Sequence, residues 1–155
     1  MTKKRFALIA AFSLVFGSLG IARAEPNRVG GLTCEPSPRV GLVIVSRQIL
    51  RCVFRSSDPA RHLVYSGSIR GLDFDIGAAR GGTLRWVVFA PNRRISRRAL
   101  RGNYEAADGG SVSSLGLGAN VLMGGTLRTI YLQPLTVEGQ IGINLAAGVS
   151  NLSIR

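Results

Sequence analysis

The sequence predicts an all-β fold, a single-domain antiparallel β-barrel or β-sandwich with at most one short helix. Three observations carry this expectation. First, about nine short runs rich in Val, Ile, Leu, Tyr and Phe recur roughly every ten residues, bounded by Gly, Pro, Asn and Asp. Second, several runs alternate with a period of two. Leu135, Val137, Ile141, Ile143, Leu145 and Ala147 lie on one side, with Thr136, Glu138, Gln140, Asn144 and Ala146 on the other. Successive side chains of a strand point to opposite faces, so such runs bury one face. Third, outside the N-terminal residues only one segment, 93–101, has helical spacing.

The first 24 residues have the layout of a secretory signal peptide. Lys3, Lys4 and Arg5 form a basic start, residues 6–21 are largely apolar, and Ala22-Arg23-Ala24 offers an A-x-A cleavage site. The run is short for a spanning helix of about 20 apolar residues. The expected mature domain is residues 25–155, one domain in size and periplasmic or secreted. Four of the 20 basic residues leave with the signal and all 8 acids stay, so the mature charge is about +8. Every remaining basic residue is arginine. Such a cationic protein suits anionic partners: lipid head groups or an acidic polysaccharide surface. Export sets nucleic acid aside.

The two cysteines, Cys34 and Cys52, sit in short strand-like runs. An isolated pair in an exported chain reads as a structural disulfide. Its loop of about 18 residues would contribute on the order of 3 kcal/mol. Between them, residues 41–46 read as an apolar strand. From His62 a strand continues with Leu63, Tyr65, Gly67 and Ile69 on one face. A parity break at Gly71 passes that face to Leu72, Phe74 and Ile76. Residues 83–90, around Trp86, are apolar on both faces and read as a central strand.

Pro91-Asn92 then opens the segment 93–101. On a helical wheel Arg93, Arg94, Arg97, Arg98 and Arg101 share one side, and Ile95, Ala99 and Leu100 the other. The expectation is a two-turn helix capped by Asn92, with its basic face outward as an anion-binding surface. Residues 115–147 read as two or three consecutive strands, with Gly124-Gly125 as a tight hairpin turn. That turn would place Tyr131 opposite Gly118, an aromatic ring covering a cross-strand glycine.

The ordered motifs Val29-Gly30-Gly31-Leu32-Thr33-Cys34, Leu50-Arg51-Cys52-Val53-Phe54, Tyr65-Ser66-Gly67-Ser68-Ile69 and Asp75-Ile76-Gly77 are followed by Trp86-Val87-Val88-Phe89-Ala90-Pro91. Further on stand Gly118-Ala119-Asn120-Val121-Leu122, Leu132-Gln133-Pro134-Leu135, Glu138-Gly139-Gln140 and Ala146-Ala147-Gly148-Val149. Together they resemble an exported proteobacterial family catalogued as domain of unknown function 992, over essentially the whole mature chain. The resemblance implies export and a single domain; it carries no activity, cofactor or catalytic residue. In that family the region after Ala-Pro resembles a short, mostly uncharged turn, so the arginine cluster is a departure.

Little in the chain suggests catalysis. His62 is the only histidine, and no nucleophile-elbow motif is present. Asp73 and Asp75 share a strand face but read as its solvated side, since a Ca²⁺ ion takes about 6–8 oxygen ligands. The glycine pairs lack the Lys-Ser/Thr of a phosphate loop. No cofactor, metal or catalytic residue is expected. Two functional classes follow: a non-enzymatic module binding anionic envelope components, or a structural, oligomeric envelope protein.

Overall fold

A computed structural model describes residues 25–37, 47–57, 61–70, 82–135 and 146–155. Within them lie eight strands: β1 (Asn27–Pro36), β2 (Arg47–Ser56), β3 (His62–Arg70), β4 (Leu84–Ala90), β5 (Gly102–Ala106), β6 (Leu122–Gly124), β7 (Ile130–Pro134) and β8 (Asn151–Ile154). All their pairings are antiparallel, and they close in the order β1-β2-β3-β8-β5-β6-β7-β4, with β4 returning to β1. Of the two architectures expected, the barrel is the one adopted. Closure gives each described strand a paired neighbour on both sides. The signal segment, the apolar run 41–46, the Gly71 break with Asp73 and Asp75, and most of the alternating run after Leu135 lie outside the described residues.

Period-two patterning decides what fills the barrel. On β2, Gln48, Leu50, Cys52 and Phe54 are buried, while Arg47, Ile49, Arg51 and Arg55 are exposed. On β3, Tyr65, Gly67 and Ile69 turn inward as expected, with Leu63 half-buried on the same side. Leu84, Trp86, Val88 and Ala90 do the same on β4. Their partners from β1, β5, β7 and β8, notably Leu32, Tyr104, Leu132, Leu152 and Ile154, complete one continuous core. An apolar inside and an arginine-bearing outside reverse the pattern of a lipid-spanning barrel, whose outer wall is apolar.

Cys34 lies directly opposite Cys52 in the β1–β2 ladder, and the two are disulfide-bonded in the core. Gly67 on β3 leaves the bond its space, since a Cβ there would stand 3.0 Å from the Cys52 sulfur. The inward Gly67 of the sequence pattern is therefore a packing requirement. At Gly30 the β1–β4 register shifts by a bulge, and a Cβ there would collide with the Arg55 carbonyl.

The one α-helix described is α1 (Gly109–Ser114), which the sequence reading missed. Asp108 caps it, its carboxylate accepting from the Ser111 N–H at 3.1 Å. Gly and Ser are poor helix formers, so packing holds the turn and half. Val112, Leu117 and Val121 form a small second cluster against Phe89 and Tyr131, on the outward faces of β4 and β7. This cover explains why β4 reads as apolar on both faces.

The hairpin register also differs from the expectation. Met123, not Gly118, faces Tyr131, and Gly124 pairs with Ile130, so the β6–β7 loop spans residues 125–129. Gly124 is a strand residue, required by proximity: a Cβ there would collide with the Asn103 carbonyl oxygen and the Tyr104 ring of β5. A Cβ at Gly118 would meet only the Gln133 side chain, at 3.1 Å. Gly124→Ala is accordingly expected to lower stability by about 1–3 kcal/mol, and Gly118→Val to be far milder. Urea midpoints of the two variants test this; a Gly118→Val loss equal to or above that of Gly124→Ala would restore the discarded register.

Candidate anion-binding site

The arginine segment links the end of β4 to the start of β5 across one end of the barrel. It is not the two-turn helix expected from its spacing. Residues 91–96 are bends and coil, and only residues 97–100 form a turn. Hydrogen bonds from the Ala99 N–H to the Ser96 carbonyl and from the Arg101 N–H to the Arg98 carbonyl, both 3.1 Å, close that turn. Two causes act against a helix. A nine-residue segment nucleates helix poorly, and five like charges on one face oppose it further. The Arg97 carbonyl, which would accept from the Arg101 N–H in such a helix, accepts instead from the Tyr65 hydroxyl.

Those neighbours hold the segment firmly. Asn27 donates to the Pro91 carbonyl at 2.8 Å, and the Tyr65 hydroxyl to the Arg97 carbonyl at 3.0 Å. The Thr126 hydroxyl bridges the Arg98 and Arg101 carbonyls at 2.6 and 3.0 Å. Leu100 is fully buried, its carbonyl accepting from the Tyr104 hydroxyl at 2.7 Å, and Ile95 packs on the core edge. Apolar-inward, basic-outward division thus survives the loss of the helix. Arg93, Arg94, Arg97, Arg98 and Arg101 are all exposed.

Topology adds residues that sequence spacing could not. The turn between β2 and β3 opens at the same end and brings Arg61 beside Arg93 and Arg94, around a cleft of about 130 Å³ floored by Phe54, Leu63 and Ile95. The β6–β7 loop also ends here and carries Arg128 next to Leu127, which is 80% exposed. The Arg97 guanidinium lies 5.8 Å from the centre of the Tyr65 ring, a cation–π contact. Burial pushes the Tyr65 phenol above its ordinary pKa, and the positive charges of Arg97, Arg101 and Arg61 oppose the shift. The Tyr104 phenol is pushed up further, chiefly by deeper burial and secondarily by Tyr65. Both hydroxyls therefore remain donors at neutral pH and keep the arginine segment tied to the barrel. His62 is an exposed strand-start residue, as expected.

Fold and site together define a closed eight-stranded antiparallel barrel, stapled by one disulfide and strongly basic at one end. The chain belongs to the family described as protein of unknown function (DUF992), whose model matches residues 15–155, in agreement with its motifs. No curated protein and no solved structure matches it.

Proposed function

We propose that the mature chain is an exported, non-enzymatic barrel of the periplasm or extracellular space that docks on anionic envelope components through its arginine-rich end. The observation that carries the reading is the convergence of Arg61, Arg93, Arg94, Arg97, Arg98, Arg101 and Arg128 from three loops at one end of the barrel. Guanidinium forks suit phosphate and carboxylate because they donate two parallel hydrogen bonds. Leu127, exposed at the loop tip beside Arg128, adds an apolar contact that favours lipid head groups over an acidic polysaccharide. The buried disulfide fits an oxidising compartment, as export requires.

The test is co-sedimentation with phosphatidylcholine vesicles, with and without phosphatidylglycerol, and with a soluble acidic polysaccharide as a third arm. Binding that depends on Arg94, Arg97 and Arg98 is expected to the anionic vesicles alone and to weaken steeply with salt. At about 1 kcal/mol per arginine near an anionic surface, Arg94→Gln with Arg97→Gln and Arg98→Gln is expected to weaken binding about 100-fold. Equal binding by that variant, or indifference to salt, would sink the reading. The runner-up is a structural, oligomeric envelope protein. Its support is Ile49 and Val64, which are 48% and 46% exposed on the outer wall of β2 and β3. Concentration-dependent assembly without vesicle binding would favour it.

A further inference from the structure

A second polar depression lies on the side wall, lined by none of the five clustered arginines. It is a groove of about 510 Å³ along β3, β8 and β5, within the range of roughly 300–1,000 Å³ typical of small-molecule sites. Arg47, Arg70 and Arg155 line it; Asn151 and Glu105 are level with Arg70, and Ser68, Ser153 and Asn103 lie between that level and Arg155.

Three features make this groove a built surface. Arg47 and Arg70 are direct partners in the β2–β3 ladder, and both are exposed. Like charges directly opposite each other in a sheet destabilise it, and among the described residues no carboxylate ion-pairs with either. The polar side chains are also fixed in place. Arg47 donates to the Ser68 hydroxyl at 2.9 Å, and the Ser153 hydroxyl donates to the Asn103 side-chain oxygen Oδ1 at 2.9 Å. Asn151 exchanges hydrogen bonds with the Arg70 backbone, accepting from its N–H at 2.9 Å and donating to its carbonyl at 3.3 Å. Finally, the strand ladder at this seam is short: Gly67 pairs with Ile154 and Ser68 with Ser153, and Ser66 and Arg155 exchange backbone hydrogen bonds at 3.2 and 2.8 Å.

The geometry points to a binding site for an acidic sugar. The opposed arginines match one carboxylate. The hydroxyls, amides and Glu105 offer a row of donors and acceptors suited to sugar hydroxyls. Glu105 would repel a bare polyanion but accepts from a hydroxyl. A ligand with one or two negative charges and several hydroxyls satisfies every group along the groove.

Calorimetric titration of the mature, oxidised protein with digalacturonate, lactose and inorganic phosphate tests this. Digalacturonate is expected to bind saturably, and lactose and phosphate at least about tenfold more weakly, the loss of one or two charge-assisted or hydroxyl contacts. Arg70→Gln is expected to weaken digalacturonate by at least about tenfold while raising the thermal midpoint, because it relieves the like-charge pair. The Arg94, Arg97 and Arg98 triple glutamine variant should bind digalacturonate normally, which separates this site from the vesicle-binding reading. Phosphate or lactose binding to that triple variant as tight as digalacturonate would overturn the assignment. So would unchanged affinity in Arg70→Gln, a joint fall in its stability and affinity, or no saturable binding at all.

Discussion

Trp86→Ala is expected to destabilise the barrel by about 3–5 kcal/mol, whereas Trp86→Phe should stay within about 1.5 kcal/mol of the parent. Trp86 is 1% exposed in β4, between Leu32 on β1 and Pro134 on β7. It is among the largest side chains in a core built from short strands, so its removal leaves a cavity that eight mutually paired strands cannot collapse to fill. The indole N–H is buried and has no hydrogen-bond partner among the described residues. An unpaired buried donor costs about 1–3 kcal/mol; phenylalanine removes that donor along with some apolar area, and the two effects offset. Urea unfolding followed by far-UV circular dichroism measures both variants. If alanine proves as mild as phenylalanine, the indole is not a packing element of the core. The larger loss is a substantial share of the roughly 5–15 kcal/mol that holds a typical domain folded.

Replacing both Cys34 and Cys52 by alanine is expected to cost about 3 kcal/mol, the loop-closure contribution for their separation. The bond joins adjacent strands in register, so the folded barrel needs no rearrangement to hold it. Its main effect is on the unfolded chain, where it ties together residues 18 apart in sequence. Both sulfurs are fully buried, so a reductant should act only after the barrel opens. Reductant should therefore lower the unfolding midpoint of the parent and leave the double alanine variant unchanged. Unfolded, unreduced protein should show no reactive thiol. Two free thiols, or a double variant as stable as the parent, would remove the bond from the account of stability.

Much of the inward face was legible because alternation is local. Leu63, Tyr65, Gly67 and Ile69 face one way in any strand that contains them, and so they do in β3. The split of residues 93–101 into buried Leu100 and exposed arginines was legible too, although the helix proposed to produce it does not form. Side-chain polarity fixed what faces water, whereas hydrogen bonds from Asn27, Tyr65 and Thr126 decided the backbone path.

From the sequence alone came the all-β class, the disulfide pair, the family and the five clustered arginines, since each rests on periodicity, composition or ordered motifs. Only the tertiary structure decided between barrel and sandwich, because closure depends on β8 entering between β3 and β5 and on β4 returning to β1. It also decided the hairpin register. Gly124-Gly125 has the chemistry of a tight turn, yet Gly124 is there because the β5 backbone passes too close for a side chain. Helix α1 forms from poor helix formers because Val112 finds an apolar wall to cover. The meeting of Arg61 and Arg128 with the arginine segment, and of Arg47 with Arg70, has the same origin. Such neighbours are set by strand pairing between residues far apart in the chain, and no local pattern encodes that pairing.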